Sequence, residues 1–462
     1  MFVLRYALVS VALLCMLAGS AIATDSSKPA AAPANQLSPT AADGAIHSAA
    51  GEVGSASPAP ITPGTTITMS NWQRYRQFMP DGMIDLFAGK YFWKMPPDVE
   101  MDIGPTVIHP LPKGYLEATE KYSSQVSLVS LPDGGLSVAG YAGGIPFPQP
   151  SDPHEGWKIL ANYWFRYFPH LVVNTSDNLG FGCTADSFGS INCSKSLYVY
   201  RQLSYNTDPG IPQTTPGGAG KFYTSWNMVE EPEQAKYTAN LNIGYADLSK
   251  PQDIYVFRPA LRRAEPLSAA ARCSATGADL TPDDGRFGFN GNIPEFDANL
   301  IGEKQILSQM DVGTAGANFP QDYDMPLGWP KPSWGKWEVR DVYVLDIRKI
   351  PSKVSGYCYG KRIMYIDKQF YGALWQDLYD AKMQLWKIVL LQPIVLNIPQ
   401  IGPQNLSGAQ YSHYWDIQNN HASFNGPNDG HGYDVLINED APKTWDDVER
   451  YSTLSGLNEV MR

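Results

Sequence analysis

Basic residues are scarce in this sequence, and they are scattered along it. The 462-residue chain has 35 Lys and Arg against 46 Asp and Glu, which gives it a net charge of −11. No basic run stands out locally against that balance. A nucleic-acid binder needs a basic face that displaces the counterions of the phosphates. The composition therefore argues against a nucleic-acid partner.

Long hydrophobic runs are confined to the start of the chain. After residue 23, no stretch approaches the roughly 18 uninterrupted apolar residues that indicate a membrane-spanning helix. The first 23 residues have the pattern of a secretory signal peptide: Arg5 is the positive charge, residues 6–17 are apolar, and residues 21–23 form an A-x-A cleavage site. We expect export to the periplasm with cleavage after Ala23. An uncleaved N-terminal anchor is the alternative.

Cysteine is also rare, and its placement agrees with export. Cys15 leaves with the predicted signal peptide, so four cysteines remain. Cys183 and Cys193 flank a turn-rich stretch and are expected to pair, which leaves Cys273 to pair with Cys358. A four-thiolate zinc site is the rival interpretation, but the closely spaced cysteine pairs typical of such sites are missing. We therefore predict two disulfides and no metal.

Common catalytic signatures are missing as well. The sequence has no G-x-S-x-G, H-E-x-x-H, P-loop, G-x-G-x-x-G or EF-hand loop, although a Ser-His-Asp triad assembled in space stays open. His413, His421 and His431, with Asp429 and Asp434, suggest a metal site, yet the first two histidines fit two strands of one hairpin. We assign no catalytic residue and no cofactor.

Two charged clusters have ordinary explanations. Glu230, Glu231 and Glu233 are typical of a solvated loop rather than a catalytic pair of carboxylates. Arg258, Arg262 and Arg263 follow an apolar strand and are suited to an anionic head group. Salt bridges with Glu265 are the alternative for these arginines.

Most of the remaining sequence alternates with a period of two, as residues 197–200, 239–245 and 342–347 show. Turn signals such as Asp133-Gly134 and Asn419-Asn420 separate these runs, and no helix-length connections follow residue 235. The pattern predicts a mainly β, α+β fold with an antiparallel meander. Helices are expected at residues 153–167, with Asp152 as N-cap, and from Thr444.

The predicted organisation has three parts. Residues 1–23 are the signal peptide, residues 24–64 form a disordered tether rich in Ala, Ser and Pro, and residues 65–462 form one domain. Several strands of that domain carry large apolar residues on both faces, including residues 197–200, 255–257 and 342–345. Both faces must then be covered, by helices or an apolar ligand, or by an ordinary two-sided core.

Several motifs, in order, resemble one known family. They are residues 143–148 followed by Arg166-Tyr167, then residues 255–263, 287–291, 300–304, 337–344, 361–367 and 378–386. They resemble a large family of proteobacterial exported proteins of unknown function, often described as outer-membrane lipoprotein-sorting-like. The resemblance covers about residues 66–462.

The resemblance implies a fold similar to the periplasmic carriers LolA and LolB, a curved, unclosed antiparallel β-barrel with helices over its concave face. It implies a carrier for a lipid or other hydrophobic compound, with a resistance-nodulation-division exporter or an outer-membrane protein as partner. An envelope hydrolase for lipid or polysaccharide, and a carbohydrate-binding or scaffold protein, are the alternatives. The candidate ligand-binding residues are Phe147, Trp157, Trp164, Tyr255, Phe257, Arg262, Phe289, Tyr343 and Trp386.

Overall fold

The structure is a computed structural model, and it describes residues 59–274, 279–312, 318–427 and 435–461. These residues belong to one compact unit. The predicted signal peptide and residues 24–58 of the predicted tether lie outside the described residues, as do His431, Asp429 and Asp434. None of the helices in the described ranges is long and apolar enough to cross a membrane.

Strands dominate the described residues. The strands are β1 Thr66–Thr68, β2 Glu100–Asp102, β3 Ser127–Ser130, β4 Leu136–Ala139, β5 Leu171–Asn174, β6 Gly180–Ala185, β7 Ile191–Gln202, β8 Lys221–Glu231, β9 Ala239–Tyr245, β10 Asp253–Arg258, β11 Arg263–Pro266, β12 Phe296–Gln309, β13 Tyr323–Asp324, β14 Trp329–Pro330, β15 Trp337–Lys349, β16 Tyr359–Asp367, β17 Ala373–Asp380, β18 Leu385–Ile398, β19 Gly402–Asp416, β20 His421–Gly426 and β21 Leu436–Ile437. The α-helices are α1 Asp81–Phe87, α2 Lys113–Tyr122, α3 Glu155–Trp164, α4 Val448–Tyr451 and α5 Leu454–Leu457.

One large antiparallel sheet organises the molecule. Its order is β11-β10-β9-β8-β7-β6-β20-β19-β18-β17-β16-β15-β12, and β5 and β21 attach beside β7. The end strands β11 and β12 do not pair with each other in the described structure, so the sheet is not closed. The predicted mainly β fold with an unclosed antiparallel sheet is confirmed.

The sheet curls around a loop that we call the inner loop, residues 281–292. At one end of this loop, the Asp284 carboxylate lies 2.7 Å from Nη2 of Arg362 on β16. Six residues later, Asn290 Oδ1 accepts a hydrogen bond from the Tyr223 hydroxyl on β8 (2.6 Å). Seven strand steps separate β8 from β16, about 34 Å in a flat sheet, whereas six residues span at most about 20 Å. Because side chains stand roughly perpendicular to a sheet, only a curved sheet permits both contacts.

The two faces of the curved sheet pack against different sets of residues. The face toward the inner loop, here called the inner face, belongs to the large hydrophobic core that includes Tyr200 and Trp375. The opposite face of β7–β10 carries a second cluster that includes Val199 and Trp226. The C-terminal segment covers this second cluster with Tyr451 and Leu457. Alternating residues on one strand thus enter two cores, which explains strands that are apolar on both faces.

Two predicted helix starts need correction. The helix expected from residue 153 begins at Glu155, and His154 rather than Asp152 takes the N-cap position, with φ 67° and no side-chain cap. The last helices start at Val448 rather than Thr444, because the Asp447 side chain itself caps α4 by accepting a hydrogen bond from the Arg450 amide (3.1 Å).

Both predicted disulfides are confirmed. Cys183 is bonded to Cys193 across the neighbouring strands β6 and β7, and Cys273 is bonded to Cys358. The second bond ties the segment before the inner loop to the start of β16. It therefore helps to hold the inner loop inside the curved sheet.

Candidate binding site on the inner face

The inner loop is anchored to the sheet by a buried ion pair. Asp284 faces Arg362, and its carboxylate also accepts hydrogen bonds from the Tyr359 hydroxyl (2.7 Å) and the Thr281 amide (2.9 Å). Burial raises the pKa of Asp284, but the nearby charges of Arg362 and Lys387 outweigh it and leave the pKa lowered. Asp284 is therefore a carboxylate at neutral pH.

The loop turns sharply just after this anchor. Arg286, Phe287 and Gly288 all have left-handed backbone conformations, with φ of 49°, 63° and 115°, which is costly for the two residues that carry a Cβ. A Cβ at position 288 would lie 2.7 Å from the Gln376 side chain. The Gly288 carbonyl accepts hydrogen bonds from Arg362 and Gln376. The chain thus carries Arg286 into the interior on a strained segment.

Helix α3 packs over the inner loop and the edge strand β12. Its close approach needs Gly156, where a Cβ would lie 2.4 Å from the Leu300 amide nitrogen. Trp157 and Trp164, seven positions apart and hence on one side of the helix, are both almost fully buried. Their indole N–H groups have no hydrogen-bond partner. The helix therefore brings aromatic surface and two unsatisfied donors to the interior.

Two arginines lie among aromatic rings beside the helix end. The Arg286 guanidinium is 4.6 Å from the ring centroids of Trp164 and Tyr223 and 4.9 Å from that of Phe168. The Arg166 guanidinium lies 4.7 Å from the same Phe168 ring, on which the two cations converge. Burial, with the Arg286 charge as a further cause, lowers the pKa of Arg166 to about 10. We call these five residues the arginine–aromatic cluster.

Four of the predicted ligand-binding residues meet around α3 and the inner loop. Trp157, Trp164 and Phe289 are buried in the large core, and Phe147 packs against it. The Phe147 backbone is held by both ends of the Asn162 side-chain amide, at 3.0 and 2.8 Å. These four residues therefore belong to one region of the inner face.

The other five predicted binding residues are dispersed over the structure. Tyr343 and Trp386 are half-buried at the margin of the large core, and the Trp386 indole donates to Asp416 (2.8 Å). Tyr255 and Phe257 belong to the second cluster on the opposite face. Arg262 is exposed in the turn after β10. Burial raises the pKa of Tyr343, with a smaller contribution from the charge of Glu155 at the start of α3, so this residue lies near the helix. No described contact brings the other four residues to α3.

The other charged clusters have local partners. Glu265 lies 2.8 Å from Arg263 and 3.9 Å from Arg258, and Lys236 lies 3.4 Å from Glu230. The salt-bridge alternative for the exposed arginines is the one that the structure shows. Arg262 has no ion pair among the described residues.

The two described histidines of the proposed metal cluster do occupy the paired strands β19 and β20, as expected. His413 is opposite Phe424, whereas His421 is opposite Asp416. Burial lowers the pKa of His413 to about 3, so it is neutral. Within the described ranges, no group of three or more His, Cys, Asp or Glu residues could hold a metal ion.

A buried carboxylate under α1 makes stability depend on pH. Asp377 on β17 accepts only a long hydrogen bond from the Gly82 amide (3.4 Å) and one from the Tyr365 hydroxyl (3.4 Å), and its Oδ1 has no partner. Burial, reinforced by the Asp81 charge, raises its pKa to about 7. The folded protein therefore holds a proton here that the unfolded chain releases near pH 4.

We expect the stabilisation from protonated Asp377 to be complete below about pH 4 and lost as the pH rises to 7. Relative to Asp377→Asn, the free energy of unfolding of the wild type should fall by about 1.4 kcal/mol per pH unit in this window. Urea unfolding at several pH values from 4 to 8 measures it. Parallel pH profiles for the two proteins would refute the assignment.

A small pocket opens near the end of the inner loop. Its volume is about 280 Å³, and its lining mixes polar and apolar residues, including Asn292, Pro294 and Lys353. This is smaller than the roughly 300–1,000 Å³ typical of pockets that enclose drug-sized ligands. On the inner face, by contrast, α3 and the inner loop pack into the large hydrophobic core.

Sequence reasoning found the tryptophans of α3 but missed both arginines of the arginine–aromatic cluster as candidates. Arg166 lies within one family motif, and Arg286 lies directly before another. The available signal was an arginine directly beside an aromatic residue in both places, residues 163–168 and 286–289. Their common position depends on long-range packing that local pattern does not reveal.

Comparisons with solved structures found several that are similar in part to this chain, at low sequence identity. A LolA superfamily protein from Nitrosomonas europaea is 14% identical, with a TM-score of 0.35, and the match covers 63% of this chain and 96% of that one. A putative outer membrane lipoprotein-sorting protein domain from Vibrio parahaemolyticus is 12% identical, with a TM-score of 0.42 and coverages of 63% and 95%.

A DUF1329 family protein from Desulfovibrio piger is 13% identical, with a TM-score of 0.43, and the match covers 65% of this chain and all of that one. No curated protein matches the sequence. The model of the family described as "Protein of unknown function (DUF1329)" matches residues 66–453, which is most of the chain. The chain therefore belongs to the DUF1329 family.

Proposed function

We propose that this protein is a periplasmic carrier that binds a lipid or another hydrophobic compound on the inner face of its curved sheet. The observation that carries the proposal is the aromatic interior of an unclosed sheet, covered by α3 and the inner loop rather than by a further strand. A ligand can enter such a sheet when its cover moves. Burial of apolar surface then contributes about 25 cal/mol per Å².

Unsatisfied donors support a ligand that is partly polar. The indole N–H groups of Trp157 and Trp164 are buried without partners, although buried polar groups in proteins are usually hydrogen-bonded. An amphiphile would bring acceptors for such donors together with an apolar chain. This combination favours a lipid-like ligand over a plain hydrocarbon.

Displacement of a fluorescent fatty acid from the delipidated protein tests the proposal. We expect saturable binding, and we expect Trp157→Phe on α3 to weaken it several-fold. Trp226→Phe, a matched change of a buried tryptophan in the second cluster, should leave it unchanged. Binding no tighter than to an unrelated periplasmic protein, or equal weakening by the two variants, would contradict the proposal.

Export through the predicted signal peptide is part of the same proposal. A carrier in the periplasm would exchange its ligand with an exporter of the resistance-nodulation-division type or with an outer-membrane protein. N-terminal sequencing of the periplasmic protein should begin at Thr24. Recovery of intact Met1 in the membrane fraction would refute cleavage.

A further inference from the structure

Buried arginines in this protein usually face a carboxylate. Within the part of the chain that the structure describes, five arginines are at least nine-tenths buried: Arg166, Arg201, Arg286, Arg340 and Arg362. Arg201 pairs with Asp446, Arg340 with Asp367 (2.8 Å), and Arg362 with Asp284 (2.7 Å). Neither Arg166 nor Arg286 has an acidic partner among the described residues. A buried cation without a counter-charge is costly, so these two differ from the rest.

The nearest acidic residues along the chain are already engaged. Asp283 and Asp284 precede Arg286 by three and two residues, but Asp283 lies 2.6 Å from Arg272 and Asp284 is held by Arg362. Arg286 has one hydrogen bond, from Nη1 to the Trp164 carbonyl (2.9 Å). Its charge therefore faces aromatic rings, a carbonyl and the nearby Tyr200 hydroxyl, and no carboxylate among the described residues.

The unused hydrogen-bonding groups around Arg286 are mainly donors. Nε and Nη2 of Arg286, Nε of Arg166 and the Trp164 indole nitrogen are buried without partners. The Tyr200 hydroxyl also has no partner, and it lies close enough to Arg286 for the guanidinium to oppose the rise that burial causes in the pKa of Tyr200. An oxyanion between these groups would accept hydrogen bonds from several of them.

We propose that the arginine–aromatic cluster binds the anionic head group, a carboxylate or a phosphate, of the amphiphile carried on the inner face. This proposal rests on the proposed carrier function and adds the class of ligand. Arginine suits the role because its planar fork donates two parallel hydrogen bonds to either oxyanion. The surrounding rings would contact the adjoining part of the apolar chain.

The strained backbone fits a site that rearranges. Arg286 and Phe287 are held in left-handed conformations, and such conformations cluster at ligand clamps and switch regions. A head group that draws Arg286 toward it would change this segment first. The alternative is that the rings and carbonyls alone hold both arginines as part of the core.

Ligands that share an apolar tail but differ in head group separate the contributions of the two parts to binding. Binding of palmitate, methyl palmitate and hexadecyl phosphate to the delipidated protein would be measured by competition with a fluorescent probe, below their aggregation concentrations. We expect at least one of the two anions to bind about tenfold or more tightly than the neutral ester. The order of palmitate and hexadecyl phosphate identifies the head group.

Variants of Arg286 then test whether the preference for anions over the neutral ester arises at the arginine–aromatic cluster. Arg286→Gln should bring the anion to within about twofold of the ester without weakening the ester, and Arg286→Lys should keep part of the preference. Arg348→Gln, a change of an exposed arginine that pairs with Asp346 (2.6 Å), should preserve it. Thermal unfolding checks that each variant folds.

The outcomes are distinct. If the wild type binds ester and anions equally, the head-group proposal is overturned and the carrier function stands. If no ligand binds, the carrier function itself fails. If the Arg286→Gln protein still binds the anion more tightly than the ester, the head group binds elsewhere and the proposed site is overturned. The comparison of ligands on the wild type remains decisive even if the Arg286 variants do not fold.

Discussion

Replacing Arg362 by methionine should lower the free energy of unfolding by about 3–5 kcal/mol. The substitution leaves the Asp284 carboxylate buried without its main counter-charge, and it removes the hydrogen bond to the Gly288 carbonyl (3.0 Å). Asp284 is almost fully buried, so water cannot replace the lost partner. Urea unfolding monitored by tryptophan fluorescence measures the change.

Two further variants show whether charge or packing is responsible. Arg348→Met breaks an exposed pair with Asp346 and should cost less than about 1 kcal/mol. The double variant Asp284→Asn and Arg362→Met removes both charges and should be more stable than Arg362→Met alone. If the double variant loses as much free energy of unfolding as Asp284→Asn and Arg362→Met lose together, the ion pair is excluded as the cause.

Trp164→Ala should cost about 3–5 kcal/mol of stability, because it removes a large, almost fully buried side chain and leaves a cavity. The ring also supports the Arg286 guanidinium at 4.6 Å and packs edge-on near Tyr223, with ring centroids 6.4 Å apart. Denaturant unfolding of this variant and of Trp164→Phe measures the loss, which should be smaller for phenylalanine.

A tryptophan at the margin of the core is the control. Trp386 is half-buried, and its indole donates to Asp416, so Trp386→Ala should destabilise the protein less than Trp164→Ala. Equal losses at the two positions would mean that the α3 end is not the tightly packed part of the inner face described above.

The sheet could be predicted from sequence because its signals are local. Alternation with a period of two and turns such as Asn419-Asn420 determine which segments are strands, and that hairpin joins β19 to β20. The Cys183 and Cys193 pair was predictable for the same reason, since the two residues are direct partners on neighbouring strands.

The binding site was less predictable because it depends on long-range packing. Tyr255 and Phe257 look like Tyr198 and Tyr200 in sequence, but the first pair packs in the second cluster and the other pair in the large core. A shift of one residue exchanges the two faces of a strand. The C-terminal segment that covers the second cluster is nearly 200 residues away from β10, so no local pattern links them.

Bound ligand on the native protein tests the carrier account most directly. The protein would be purified from the periplasm of its own cells without detergent, analysed by native mass spectrometry, and extracted with organic solvent. The account predicts a mass adduct that the solvent releases as an amphiphile with an anionic head group. Protein at its bare polypeptide mass, with no extractable amphiphile and no uptake of added lipid, would contradict it.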